Sequence, residues 1–392
     1  MTSWLKRTRR ILISVICCAT VLFTACSAKP QQVTPVVDYR DLVEPLDQKP
    51  METASEESVQ ADADAVATWE TKEPEDNVIT ITISAAGDVT LGNYEGQDYS
   101  GSFRQKVEET EDEGYFFSNV YDIFSADDMT IVNLEGVLTT SEEIKEGQTY
   151  CIKGDPSYVA FLTHGAIETV SMANNHRMDF GEAGSRETVE MLDREGIIYA
   201  YDNNVGIYET KGIRIGYVSV RYWGEGMEYL MQNGIEKLQE EGVDLILACC
   251  HWGIERTFYP EDYQREFGKK CIDWGADLVI GHHPHVLQGI EEYRGKFIVY
   301  SLANFCFGAN RNPPDKDTMI FQQTFTFVDG MKQEDANIQV IPCSVSSISN
   351  WNDYRPTPAI DNEAQRILER INEYSRDFGV QFDESGHLKT GE

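Results

Sequence analysis

The sequence predicts an α/β fold, a layered sandwich of mixed β-sheets flanked by helices. Three observations predict it. From about residue 77 strand-like apolar runs alternate with helical stretches, and several of those runs stop in Gly, Asp, Asn or His. Toward the end, residues 319–328 and 338–345 read as further strands of more antiparallel character. About 300 residues remain after position 77, enough for one large domain.

In chain order, 79–86 alternates Thr and Ile before Gly87-Asp88. Residues 129–133 lead into Leu134-Glu135-Gly136, and 168–172 into Ala173-Asn174-Asn175-His176. A helix over 182–195 stops at Gly196, a residue suited to a left-handed cap. Residues 213–220 form a strand, 229–240 a helix, 244–250 a buried strand ending before His251, and 261–274 a helix. The runs 277–280 and 297–301 are strands before Gly281 and Leu302-Ala303-Asn304. Ile367, Ile371, Tyr374 and Phe378 lie at helical spacing, so an amphipathic helix in the segment 351–392 covers the flank of a domain spanning 77–350. No repeat of 20 to 50 residues is visible.

Five of the seven histidines fall in three short stretches, at His176, His251 and His282-His283-Pro284-His285. Polar residues at the carboxyl ends of strands collect on one edge of an α/β sheet, where ligands bind. Asp88 and Glu135 offer hard oxygen, Asn175 a neutral oxygen, and His251, His283 and His285 imidazole nitrogen. That mixture without thiolate suits Mn²⁺, Fe²⁺ or Zn²⁺, as one ion or two. The spacing of two in His283-Pro284-His285 points both rings the same way if the segment is extended, and the proline excludes ordinary helix. Taken singly, each residue has a plainer reading: Asp88 as a turn aspartate, His251 as a core histidine, Glu135 as a helix-start carboxylate, Asn175 as a cap. Their joint occurrence at the ends of separate runs favours a site. Lys153, Arg177, Arg221 and Arg256 lie in or beside the motifs, placed to pair with carboxylates of a substrate or to act as ordinary surface bases.

Lys6, Arg7, Arg9 and Arg10 precede an apolar run of about thirteen residues, 11–23, short of the roughly twenty a spanning helix needs. Thr24-Ala25-Cys26 follows in the manner of a bacterial lipobox. The expectation is a lipoprotein signal peptide over 1–25, with Cys26 as lipid anchor on the outer face of the membrane. An uncleaved anchor is the plainer alternative. Residues 27–76 hold five prolines, no glycine, and thirteen acids against four bases, the composition of a disordered tether. The formal net charge of −33 excludes nonspecific nucleic-acid binding. An anionic substrate must therefore be met by a local cluster of bases or by metal. Beyond Cys26 six cysteines remain, an even number that permits disulfides. Cys249 and Cys250, inside an apolar run, read as buried small residues rather than zinc ligands.

Six motifs in order, Gly87-Asp88-Val89-Thr90-Leu91-Gly92, Asn133-Leu134-Glu135-Gly136, Ala173 to His176 with Asp179-Phe180-Gly181, His251 to Glu255, Gly281 to Val286 and Tyr300 to Phe305, resemble the CapA family of poly-γ-glutamate capsule proteins. The likeness runs over about 78–350. That family is similar in fold to the calcineurin-like metallophosphoesterases, which implies a metallophosphoesterase-like sandwich around a divalent metal site. It also implies a role in capsule polymer synthesis, export or anchoring, with poly-γ-glutamate and membrane capsule-synthesis proteins as partners. By resemblance, Asp88 and Glu135 take the places of the metallophosphoesterase aspartates, with Glu135 as the candidate bridge. Asn175, His251, His283 and His285 complete the ligands, His176 becomes the general acid or charge stabiliser with Asp88 as the other catalytic residue, and Asn304 lies beside the substrate. His282 is a bystander or a supporting residue. Two departures stand out: Thr90 replaces a metal-binding histidine, and Ala303 replaces the usual glycine. A metal-dependent hydrolase or transferase, a non-catalytic polymer-binding subunit of a capsule assembly complex, and a metal-dependent phosphoesterase acting on another surface polymer all follow from this pattern.

Overall fold

Leu245–Trp252 explains the architecture in one strand. Its odd residues, Leu245, Leu247 and Cys249, join one apolar core, while Ile246, Ala248, Cys250 and Trp252 join another. A strand buried on both faces reads as a continuous apolar run because each face has its own core to fill. It lies in a six-stranded sheet whose order is Ile290–Tyr293, Lys296–Val299, Leu278–His282, Leu245–Trp252, Ile213–Tyr222, Gly206–Thr210. The four inner strands run parallel and the two outer ones antiparallel.

The structure is a computed structural model that describes residues 77–334 and 336–389. The expectations for the signal peptide, Cys26 and the tether lie outside the described residues. A second, nine-stranded sheet is built around Val78–Thr90, with Met129–Leu134, Thr169–Ser171 and Ile198–Ala200 parallel on one side and Asp317–Val328 and Asn337–Ser344 antiparallel on the other. Ile81, Ile83, Ile131 and Phe321 from this sheet share a core with Tyr217, Leu247, Ile280 and Val299 from the other, so the two sheets face each other. Helices Glu228–Glu240 and Asp262–Trp274 cover the outer face of the six-stranded sheet, and Gly181–Glu195 contributes Leu192 to the outer core of the nine-stranded one. The layered sandwich of mixed sheets is thus the fold. Gly196 closes its helix at φ 72°, as a left-handed cap.

The last helix, Asp361–Ser375, buries Ile367, Leu368 and Ile371 in the core between the sheets, at their flank. Arg366 donates to both oxygens of Asp317 at 2.7 and 2.6 Å, a bidentate clamp that fixes the helix to the strand Asp317–Val328. All six cysteines among the described residues are free and buried.

Asp127, near the start of Met129–Leu134, accepts from Thr130 Oγ1 at 2.8 Å. Burial, aided by the nearby Glu168 and Asp128, pushes its carboxyl up to about 7. The folded state therefore holds this proton more tightly than the unfolded chain, and stability drains away as pH rises from the ordinary carboxylate range through 7. Asp127→Asn is expected to raise the unfolding free energy by on the order of a few kcal/mol at pH 8 and by little near pH 4. Thermal melts of both proteins across that range check it.

Candidate metal centre

The site forms where the carboxyl ends of the parallel strands of both sheets meet. Asp88 reaches it through an irregularity. Strict alternation would put Asp88 on the face of Ala86, which belongs to the outer core. The pairing with Met129–Leu134 slips between Ala85 and Asp88, and the carboxylate turns inward while Val89 takes the outer side. Gly87 makes the slip possible: a Cβ there would stand 2.0 Å from the carbonyl oxygen of Ala303, whose oxygen also accepts the Asp88 N–H at 2.9 Å. Ala303 itself sits at φ 64°, a left-handed conformation that explains why glycine would be at ease there.

The histidine pair arises differently from the expected extended segment. His283 has φ 96° and His285 φ 57°, so the segment is a turn, and the rings end 5.7 Å apart by centroid because of two left-handed residues rather than a strand period. His285 Nδ1 then lies 3.1 Å from Asp88 Oδ2 and 2.9 Å from Asn304 Oδ1. His285 Nε2 faces Glu135 Oε1 at 3.8 Å, and His251 Nε2 faces the same oxygen at 3.9 Å. Asn175 Oδ1 is 2.6 Å from His251 Nε2, and the His251 and His283 rings are 4.7 Å apart. Asp88, Glu135, Asn175, His251, His283 and His285 therefore come together in one cluster. Within it the ligand atoms of Glu135, His283 and His285 all lie within 4.8 Å of one another, a group able to hold a metal ion.

The chemistry of the donor set fits a cation. Both carboxylate oxygens of Glu135 are buried without a hydrogen-bond partner, as are His283 Nδ1 and His282 Nε2. Buried polar atoms without partners cost free energy, and a shared ion would satisfy those that face it. Burial, reinforced by the Asp88 charge, raises Glu135 to about 7. Burial opposes charge on His285, yet Glu135 and Asp88 lift it to about 9. Burial and the neighbouring His285 lower His283 to about 3, and burial with His283 holds His251 well below its ordinary value. Burial would raise Asp88 too, but His282 and His285 hold it well below the carboxylate range.

His176 stands at the rim, with Nδ1 2.7 Å from Asp179 Oδ2 and Nε2 3.8 Å from Glu135 Oε1. Burial works against its charge; the Asp179 bond and the Glu135 charge outweigh it and raise its pKa. His282, 3.4 Å from Asp88 Oδ1, buttresses that carboxylate. Asn304 and Arg256 line a cavity of about 490 Å³ beside His176 and His285. Arg177 and Arg221 line a separate one of about 330 Å³ beside Asn175. Lys153 lines neither: its ammonium bonds the Ser141 carbonyl at 3.1 Å and Glu142 at 2.9 Å, and sits 4.7 Å above the Phe180 ring.

Two contributors had no role assigned from sequence. Asn133 donates to Asp88 Oδ1 at 2.8 Å and approaches His251 Nδ1 at 3.4 Å, tying the sheets together under the site; its position just before Leu134-Glu135 was the available signal. Trp223, 44% exposed, packs edge to face with His283, their ring centroids 4.6 Å apart. Nothing in a lone Trp after a strand announces that contact.

The family described as bacterial capsule synthesis protein PGA_cap matches residues 82–309, more than half of the 392. The PGA biosynthesis protein CapA of Bacillus subtilis (strain 168) is 29% identical over 56% of this chain and 64% of its own length. The capsule biosynthesis protein CapA of Bacillus anthracis is 28% identical over 38% of this chain and 42% of its own. A probable polyglutamine synthesis accessory protein of Mycobacterium tuberculosis (strain ATCC 25618 / H37Rv) is 23% identical over 66% and 75%. The chain thus spans under two thirds of the length of the two Bacillus proteins. A crystal structure of a hypothetical protein from Thermus thermophilus aligns with 67% of this chain and 98% of its own, at TM-score 0.43 and 14% identity. With the matched span running from the strand that carries Asp88 to the strand that begins at Asn304, the chain belongs to the bacterial capsule synthesis protein PGA_cap family.

Proposed function

We propose that this protein acts in the synthesis, export or anchoring of an anionic capsule polymer of the poly-γ-glutamate kind, through a metal-dependent, hydrolase-like centre at the outer cell surface. The observation that carries the centre is Glu135, whose two buried oxygens have no hydrogen-bond partner and whose Oε1 faces three imidazoles, those of His176, His251 and His285. Mixed nitrogen and oxygen donors suit Mn²⁺, Fe²⁺ or Zn²⁺. A bound ion would polarise a carbonyl or phosphoryl oxygen and acidify water.

The chain's own groups divide the remaining work. Asp88, kept ionised, orients His285; Asn133 orients Asp88. Asp179 holds His176 Nδ1, which leaves Nε2 toward the centre as the atom able to donate a proton to a leaving group. Arg221 and Arg256, which make no ion pair among the described residues, stand ready to pair with carboxylates, while Arg177 is already paired with Asp202. One observation favours a binding subunit without turnover instead: Thr90, where a metallophosphoesterase-like site has a histidine, has a buried hydroxyl without a partner and leaves the centre short of a ligand.

Metal analysis of the protein, followed by incubation with poly-γ-glutamate and with a generic phosphodiester, tests the reading. A metal-free protein, or loaded protein that neither cleaves nor binds the polymer, ends it. Because His285 and Glu135 hold protons up to about 9 and about 7, metal must compete with protons below those values. Apparent metal affinity is therefore expected to fall at least tenfold from pH 8 to pH 6, measured by titration calorimetry, with proton release on binding.

A further inference from the structure

Two separate cavities adjoin the same set of ligands, each lined by a different one of them. Asn175, whose side-chain oxygen touches His251, lines the smaller one, together with Arg177 and Arg221. The next residue, His176, lines the larger one with His285 and Asn304. The larger cavity does not end there. Arg256, Val286, Asn312, Pro313, Pro314 and Asp315 line both it and a further depression of about 770 Å³, so the two adjoin.

We propose that the metal centre lies part-way along a groove and engages the interior of an anionic chain rather than its end. The ligand class is a linear polymer bearing a carboxylate on each unit, and the inference rests on the polymer reading above. A pocket built for a chain end needs space on one side of the reacting position only; here one cavity adjoins Asn175 and another adjoins His285.

The charges agree. In a chain of net charge −33, each side of the centre presents a guanidinium that makes no ion pair among the described residues: Arg221 on the Asn175 side, Arg256 on the other. Arg177, which lines the same cavity as Arg221, is held in place by Asp202 at 2.6 Å, by Ser185 at 3.1 Å and by stacking 4.5 Å over Tyr201, so it shapes that cavity while Arg221 supplies the unpaired charge. Asp315, an acid in the larger cavity, is neutralised by Arg370 at 2.8 Å; Glu255 is the carboxylate left facing the groove near the centre. Bases on both sides hold a polyanion across the centre, against a whole-molecule field that repels it.

The test is calorimetric titration of the metal-loaded full chain with γ-linked glutamate oligomers, a dimer, a tetramer and an octamer, each with free ends and with both ends capped. Affinity is expected to climb about tenfold or more from dimer to octamer, and capping should leave the octamer unaffected. Arg221→Gln and Arg256→Gln should each weaken the octamer by roughly three- to tenfold, with effects that multiply in the double variant, while no more than one of the two weakens the dimer. Tight binding that is lost on capping, or that is the same for dimer and octamer, overturns the groove and leaves the polymer reading standing. No binding by any oligomer overturns both.

Discussion

His176→Ala is expected to keep the metal and the polymer affinity while losing roughly 10² to 10⁴ in turnover, the range a positioned proton donor supplies. The side chain makes no contact that holds the ligand set together: its nearest approach to a ligand is Nε2 at 3.8 Å from Glu135, and its short bond goes to Asp179. Asp179 Oδ2 also accepts the Ile152 N–H at 2.8 Å, so the loop stays anchored when the imidazole is removed. His251→Ala should behave in the opposite way, since it removes a nitrogen that faces Asn175 and Glu135 directly, and the metal should go with it. Measuring metal content beside rate separates the two. A His176→Ala protein that still turns over at the normal rate would remove His176 as the proton donor; no turnover by the unaltered, metal-loaded protein would hand the site to the binding-subunit reading.

Gly87→Ala is the second large effect, and it acts through backbone alone. The added methyl would stand 2.0 Å from the Ala303 carbonyl oxygen and 2.9 Å from its carbon, closer than atoms approach, so the two strands must separate. Separation breaks the Asp88 N–H to Ala303 bond and disturbs the slip that turns the Asp88 carboxylate inward. The expected cost is on the order of 3 kcal/mol or more, with loss of metal, read by chemical denaturation and metal analysis. Ala303→Gly on the facing strand should be tolerated, because φ 64° suits glycine at least as well. Equal stability of Gly87→Ala and the unaltered protein would show that the close approach is not what holds Asp88.

The main strands and helices were legible because their burial follows simple periods. Helix 182–195 appears as Gly181–Glu195, and strand 244–250 as Leu245–Trp252, each within two residues. Short pieces such as Ile198–Ala200 and Gly206–Thr210 carried no comparable pattern, since three to five residues at a sheet edge hold too few apolar positions to declare a period.

What the sequence by itself determined is the list of donors and their place at strand ends, since an apolar run must stop where its polar residues begin. Whether those donors share one centre was decided by tertiary structure. Asp88 faces the centre only because its strand slips beside Ala303, a residue more than 200 positions away. His283 and His285 converge through left-handed backbone that spacing alone represented as extended. Asn133 gained its approach to His251 from the packing of one sheet on the other, Trp223 gained its contact with His283 from strands brought together within the six-stranded sheet, and Lys153, for all its nearness to the motifs, was drawn off by Glu142. The physical reason is common to all of these: local pattern sets which face of its own element a side chain occupies, but the identity of what lies opposite is a property of chain segments remote in sequence.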